Sequence, residues 1–327
     1  MTLRWGLLST ALINDRIIDA ARSTSRADVV AVASRDGGRA AAYARERGIE
    51  RAHGGYEALL EDAGVDAVYI SLPNGMHVEW TLRALEAGKH VLVEKPFSPH
   101  VESVVQSFDA ADAHGLILSE GFMWRHQPQT AELIRLAREG AIGPLRLVRA
   151  AFSFPLEATR GAADTRFDPG LEGGALMDVG AYCVNAIRAI AGEPEHVAAE
   201  QVVGATGVDV VFTAALRCPD DVAAHFDCAF VLSYRAALEV AGEDGSLFVA
   251  DPWHAHEPGI ELRRGEGLEL IPFERTDAYR LELENIADAV AGDAPLLLGR
   301  DDAVGQARVL EALYRSARMS TPLEVSR

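Results

Sequence analysis

Leu3-Arg4-Trp5-Gly6-Leu7-Leu8-Ser9-Thr10-Ala11-Leu12-Ile13-Asn14 decides the fold. Its first six residues make an apolar run of strand length. Small residues follow, and then a helical pattern, Ile13–Ser23. The run passes straight into Asn14-Asp15-Arg16 without a small-residue cleavage site, so it reads as a core strand and not a secretory leader. The same unit recurs downstream. Strand-like runs lie at Val29–Ala33, Ala67–Leu72, His90–Val93 and Leu116–Ser119. Helical patterns lie between them at Arg39–Arg47, Tyr56–Glu61, Val78–Ala87 and Val101–Ala113. Continuously apolar strands separated by helices predict a parallel sheet covered on both faces. Right-handed crossovers then make it a doubly wound Rossmann sheet.

The pattern changes after residue 121. One amphipathic helix, Thr130–Glu139, precedes a series of strands. In Asp209–Arg217, residues Val210, Phe212, Ala214 and Leu216 face one way. In Ala223–Leu232, Phe226, Cys228 and Phe230 oppose His225, Asp227 and Ala229. Further strands are expected at Arg146–Phe154, Arg235–Ala241, Ser246–Ala250 and Ile260–Arg263. Period-two alternation predicts a large, mostly antiparallel open sheet with one solvated face. Two helical stripes close the chain, one through Leu283, Ile286, Ala287 and Val290, the other through Val304, Ala307, Leu310 and Leu313. The fold class is α/β, with an expected division into residues 1–121, a dinucleotide-binding domain, and 122–327, a second α/β domain built on the antiparallel sheet.

Composition agrees. A chain of 327 residues, 49% apolar and 24% charged, is globular and long enough for two domains. A net charge of −18 repels phosphate backbones and acidic membranes, which argues against nucleic acid and membrane partners. No run approaches the ~18 apolar residues of a membrane span. Cys183, Cys218 and Cys228 are too few and too scattered for a disulfide framework, which fits reduced thiols in the cytoplasm.

A doubly wound sheet binds its ligand beyond the carboxyl ends of its strands. At the first end, Ser9, Ala11 and Asn14 replace the three fingerprint glycines. Backbone amides at a helix N-terminus could still meet a pyrophosphate there, helped by the Ser9 and Thr10 hydroxyls. At the second, Ser34-Arg35 offers a hydroxyl and a cationic fork suited to a 2′-phosphate. This favours NADP, with NAD as the alternative. The fourth end is Val93-Glu94-Lys95-Pro96, which aims a lysine at the crevice from a rigid turn.

These residues, with Leu72-Pro73-Asn74-Gly75-Met76-His77, Glu120-Gly121-Phe122-Met123-Trp124-Arg125 and Gly173-Gly174-Ala175-Leu176-Met177-Asp178-Val179-Gly180-Ala181-Tyr182, carry a resemblance. The whole chain resembles the glucose–fructose oxidoreductase / inositol dehydrogenase / MocA family, nearest its aldose (xylose-type) 1-dehydrogenase and dihydrodiol dehydrogenase branch. The resemblance implies a nicotinamide cofactor and hydride transfer at a carbinol or carbonyl carbon of a sugar or polyol. It implies that Lys95 is the active-site lysine, Tyr182 the proton-transfer residue and Asp178 the carboxylate that orients substrate. Ser9, Thr10, Ala11 and Ile13 would hold the phosphates, and Ser34 and Arg35 the adenosine ribose. Leu72, Pro73, Asn74, His77, Glu94 and Lys95 would line the nicotinamide ribose. Trp124 and Arg125 would lie near nicotinamide and substrate. Dimerisation through the second sheet, or a higher homo-oligomer, is also implied; Val211 and Val231 are expected on its outer face. Leu12 and Gln127 depart from the family, standing where relatives often carry arginine and histidine.

The expected chemistry follows. Tyrosine is a poor base at its ordinary pKa of ~10. A nearby ammonium favours the phenolate, so Lys95 would make Tyr182 useful near neutral pH. Asp178 precedes Tyr182 by four residues and would share its helix face. The primary expectation is oxidation of the anomeric carbon of an aldose to a lactone by NADP. The alternatives are a keto or anhydro sugar reductase, a diol dehydrogenase, or a non-catalytic dinucleotide sensor. No metal is expected: His254-Ala255-His256, beside Trp253, lacks a nearby third-ligand pattern. His225 and Asp227 read as surface or interface residues, and Tyr279 as core or pocket wall.

Overall fold

The computed structural model describes residues 1–325. Its first half alternates strand and helix: β1 (Leu3–Leu8), α1 (Asn14–Arg22), β2 (Ala27–Ala33), α2 (Gly37–Arg47), β3 (Arg51–His53), α3 (Tyr56–Leu60), β4 (Ala67–Ile70), α4 (His77–Glu86), β5 (His90–Glu94), α5 (Val101–His114) and β6 (Leu118–Gly121). These strands form a parallel sheet of order β3-β2-β1-β4-β5-β6. The chain winds outward from β1 to β3 and restarts at β4. The crevice for a dinucleotide therefore opens at the carboxyl ends of β1 and β4. Leu3, Trp5, Leu7 and Leu8 of β1 are fully buried, as a strand covered on both faces requires.

The second half contains α6 (Pro128–Arg138), β7 (Leu145–Ser153), α7 (Leu156–Arg160), α8 (Ala181–Ala191), β8 (His196–Val203), β9 (Asp209–Arg217), β10 (Ala223–Ala229), β11 (Arg235–Gly242), β12 (Ser246–Val249), β13 (Gly259–Arg264), β14 (Gly267–Pro272), α9 (Ala278–Ala291), α10 (Arg300–Met319) and β15 (Leu323–Glu324). Nine strands form one sheet, β14-β13-β12-β11-β7-β10-β9-β8-β15. Only the β7–β10 pair is parallel among the described pairings. Phe212, Leu216, Phe226 and Cys228 face inward and are buried, while Thr213, Ala215 and His225 face water. Helix α8 is buried along Ala181–Ile190, because it is apolar around nearly its whole circumference.

The chain divides into two compact units. One comprises Met1–His126 and Asp277–Val304, the other Gln127–Thr276 and Gly305–Arg327. The boundary read from sequence, 121/122, has no return crossing. The structure gives α9 to the first unit, where Leu283, Ile286 and Ala287 join Leu3, Trp5 and Ile17 in one core. Tyr279 packs against the same core. Four strands are additional to those expected: β3, β8, β14 and β15. β14 lies at a sheet edge with Leu268 and Leu270 exposed, so its residues carry no burial alternation. β10 ends at Ala229, which leaves Val231 beyond the strand and exposed. Among the described residues, no helix is long and apolar enough to cross a membrane.

Candidate active site

The turn after β1 replaces fingerprint glycines with a closed hydrogen-bond ring. Ser9 has φ 149°, a backbone region that glycine usually occupies. The Ser9 and Ser71 hydroxyls are 2.7 Å apart, and Ser71 Oγ donates to Asn14 Oδ1 at 2.6 Å. Asn14 Nδ2 returns to Ser9 O at 2.8 Å, and Ala11 N–H donates to Ser9 Oγ at 3.1 Å. Asn14 is fully buried. The ring ties the turn after β1 to the end of β4, which frames the crevice. Helix α1 has no side-chain cap at its N-terminus; the N–H groups of Asn14, Asp15 and Arg16 turn back onto the Ala11, Leu12 and Ile13 carbonyls at 3.2, 3.2 and 2.9 Å. The turn stands at the strand end where a doubly wound sheet meets its ligand. Leu12 is exposed at its rim. Asn14→Ala removes two buried hydrogen bonds worth about 1 kcal/mol each. The expected result is a roughly tenfold weaker dinucleotide Kd in a fluorescence titration, with a lowered Tm. An unchanged Kd would show that the ring does not shape the dinucleotide crevice.

At the end of β2, Ser34 is buried and Arg35 exposed. Arg39, which the sequence did not single out, donates from Nε to Ser34 Oγ at 3.0 Å. Asp36 caps α2 by accepting from Arg39 N–H at 3.0 Å, so the arginine leaves from the first turn of the helix. The Arg39 guanidinium thus borders the Ser34 hydroxyl, and Arg35 is the next residue along the chain.

The ends of β4 and β5 are clasped together. His77, expected to line a ribose, is fully buried. Its Nδ1 lies 2.9 Å from Pro96 O and its Nε2 2.8 Å from Leu72 O. Both ring nitrogens therefore lie against backbone carbonyls; burial lowers the imidazole's pKa, the neutral ring donates to one of the two, and His77 serves as a strut between the loops. Pro73 and Asn74 are half-buried beside it. Glu94 accepts from the Tyr69 hydroxyl and from Lys95 N–H. Burial, then the Glu94 charge, pushes the Tyr69 phenol well above its ordinary range. Lys95 is half-buried at the end of β5. Trp124 is fully buried, and Arg125 pairs with Asp302 at 3.2 Å.

The second unit holds Asp178 and Tyr182. The segment expected to be α-helical through both residues is a π-helical turn, Leu176–Gly180, continuing into α8. Gly173 and Gly174 permit the close approach that starts it. A Cβ on Gly173 would lie 2.3 Å from Arg166 O, and one on Gly174 2.2 Å from Asp209 Oδ1. Buried Asp209 anchors the turn, accepting from Leu176 N–H at 2.7 Å and Tyr314 Oη at 3.0 Å. Arg166, absent from the sequence reading, donates to Asp178 Oδ2 at 3.0 Å and grips Asp164. Burial works against the Asp164 charge, but Arg166 and a backbone N–H hold it below the usual carboxylate range. The Tyr182 ring is 7% exposed and packs against Phe152 (5.5 Å between centroids) and Trp253 (5.7 Å). Buried Gln127 donates to Trp253 O at 3.3 Å, fixing that wall. Asp227 pairs with Arg235 on the outer sheet face, where His225 is exposed.

A dinucleotide crevice on a Rossmann sheet, with a separate open-sheet unit bearing a carboxylate and a phenol one turn apart, defines a two-part nicotinamide oxidoreductase. The Rossmann model of an oxidoreductase family, described as NAD-binding, matches residues 4–122, and the GFO/IDH/MocA C-terminal domain matches residues 130–248. The chain belongs to the glucose–fructose oxidoreductase / inositol dehydrogenase / MocA family. It is 36% identical to a D-xylose 1-dehydrogenase (NADP(+)) of Haloferax volcanii, over 99% of this chain and 100% of that one. It is 34% identical to a trans-1,2-dihydrobenzene-1,2-diol dehydrogenase of Bos taurus, over 77% and 75%. A 3-ketoreductase from Actinomadura kijaniata, crystallised with NADP and TDP-benzene, superimposes with a TM-score of 0.89 at 31% identity, covering 97% and 98%.

Proposed function

We propose that the protein oxidises the anomeric carbon of an aldose to a lactone with NADP. The observation that carries this reading is Tyr182, a largely buried phenol one turn after a carboxylate held by arginine, within the family's catalytic motif. NADP, when bound, would supply the acceptor for the hydride of the anomeric carbon. Tyr182 takes the proton of the anomeric hydroxyl, with Lys95 favouring its phenolate form. Loss of that proton and the hydride turns the carbinol into the lactone carbonyl. Asp178, its carboxylate held by Arg166, accepts from a sugar hydroxyl and sets the ring's orientation. In the reverse direction Tyr182 protonates the developing alkoxide.

The fit to NADP rests on Ser34, Arg35 and Arg39. A 2′-phosphate meets the Arg39 guanidinium and the Ser34 hydroxyl there, with Arg35 next along the chain, whereas a bare ribose hydroxyl gains little from them. Arg39→Ala should weaken NADP about tenfold while leaving NAD within about twofold, since one charge-assisted hydrogen bond is worth ~1.5–3 kcal/mol. Isothermal titration with both dinucleotides checks this, and equal losses would remove Arg39 from 2′-phosphate recognition.

The protein pairs as a homodimer through the outer face of the nine-stranded sheet. That face carries small and apolar residues such as Ala198, Ala215 and Ala223 among its charges. Light scattering at micromolar concentration should give twice the mass of one chain; a single-chain mass sinks this. Buried Cys183, Cys218 and Cys228, whose thiols burial pushes up, suit reduced thiols in the cytoplasm.

The experiment is NADPH formation at 340 nm with a panel of aldoses and polyols, NAD in parallel. Turnover with an aldose and NADP supports the reading. The similarity to the Actinomadura 3-ketoreductase favours a second one, keto sugar reduction, and NADPH consumption with keto sugars alone would select it. Dinucleotide binding without turnover in either direction would favour a sensor.

A further inference from the structure

We infer that Asp251, His254 and His256 form a solvent-open site for one transition-metal dication of the zinc class. The sequence sets Asp251 three residues before His254 and five before His256. The fold brings one ligand atom of each within 4.8 Å of the other two. His256 Nδ1 is 2.7 Å from Asp251 Oδ2, and His254 Nδ1 is 3.9 Å from Asp251 Oδ1. Ligands on a tetrahedral ion at ~2.0–2.1 Å stand about 3.3 Å apart, so side-chain rotations of about 1 Å close the set.

The backbone prepares this convergence. Ala255, between the histidines, has φ 47°, and the two imidazole centroids are 5.4 Å apart. The carboxylate is oriented before any ion arrives. It accepts from His254 N–H (3.3 Å), His256 N–H (3.2 Å) and the Tyr234 hydroxyl (3.4 Å). Burial opposes the Asp251 charge, but the His256 and backbone hydrogen bonds hold its pKa below the ordinary range. The His254 ring is set edge-on against Phe152 at 5.8 Å. Two imidazoles and one carboxylate suit Zn²⁺, Co²⁺ or Ni²⁺; Mg²⁺ and Ca²⁺ require more oxygen. On binding, the Nδ1 proton of His256 leaves for Nε2 or solvent, and Asp251 exchanges that hydrogen bond for the metal. The histidine side chains are 36% and 55% exposed, so a further coordination position faces water.

The site adjoins the catalytic wall. Phe152 touches both His254 and Tyr182, so fixing His254 on an ion constrains the ring beside the proton-transfer residue. The inference goes beyond the proposed reaction and does not depend on it.

The test uses full-length, tag-free protein titrated with Co²⁺ and read by visible absorption, with Zn²⁺ competing. One equivalent of Co²⁺ should give d–d bands that Zn²⁺ removes. His256→Gln and Asp251→Asn should each weaken binding at least tenfold, and Tyr234→Phe about tenfold through the lost outer hydrogen bond. Far-UV dichroism and Tm serve as the folding check, and the exposed histidines make His254→Ala a safe companion variant. Absence of a Co²⁺ band overturns the site. So does Co²⁺ binding that survives the His256→Gln and Asp251→Asn changes.

Discussion

Tyr182→Phe is expected to lower kcat for aldose oxidation by about 10²–10⁴, the usual contribution of a positioned general base. The change deletes one oxygen from a ring that is already 7% exposed and packed on Phe152 and Trp253. Those contacts belong to the ring faces and edges, which phenylalanine keeps. Helix α8 and the π-helical turn before it should therefore fold as in the parent. KM for the aldose should change little, because Asp178 and its Arg166 partner remain in place. An interaction made only in the transition state lowers kcat and kcat/KM together, and that is the signature to look for. NADP affinity, measured by fluorescence titration, should stay within about twofold, since its crevice belongs to the β1, β2, β4 and β5 ends. If kcat falls by less than tenfold, another group removes the proton and Tyr182 is a wall of the site.

Much of this arrangement could be read from the residues because burial wrote a period into them. Leu3–Leu8 reads as β1 because all of it but Arg4 is buried, and Asp209–Arg217 reads as β9 because its burial alternates from Phe212 to Arg217. Where burial leaves no period, sequence gave nothing. Arg51-Ala52-His53 is too short and polar to announce β3, and β14 lies exposed at an edge. The π-helical turn is a tertiary effect: nothing in Leu176–Gly180 calls for a wider turn until Gly173 and Gly174 close on Arg166 and Asp209. Lys95, Asp178 and Tyr182 stood out through motifs, whereas their helpers did not. Arg166 and Arg39 look like any surface arginine until folding sets them on Asp178 and Ser34. His77 had the opposite fate. It belongs to a recognisable loop, but both its nitrogens are occupied by carbonyls that only the folded chain brings to it. Asp251 is a third such helper: it stands three residues before His254, but only the folded backbone, left-handed at Ala255, sets both imidazoles beside its carboxylate.

Lys95→Ala should match the Tyr182 variant in size, with kcat lower by about 10²–10⁴, and the two costs should fail to multiply. One proton passes through the pair in the proposed relay. Without the phenol, the ammonium has no phenolate to favour; without the ammonium, the phenol returns toward its ordinary pKa and is a weak base at neutral pH. The double variant should then fall within about tenfold of the worse single variant, as non-additive groups acting as a unit do. The backbone gives the lysine change a clean reading. Lys95 N–H keeps its bond to Glu94 Oε2, and the His77 strut from Leu72 to Pro96 involves no lysine atom. The rate of the Lys95→Ala variant relative to the parent should also recover as pH rises, because a phenol without a neighbouring ammonium needs more alkaline solution to ionise. A pH–rate profile from 6 to about 10 separates the two. A flat deficit at every pH would mean that Lys95 orients substrate and does not tune Tyr182. Multiplying costs in the double variant would likewise divide the pair into two independent contributors.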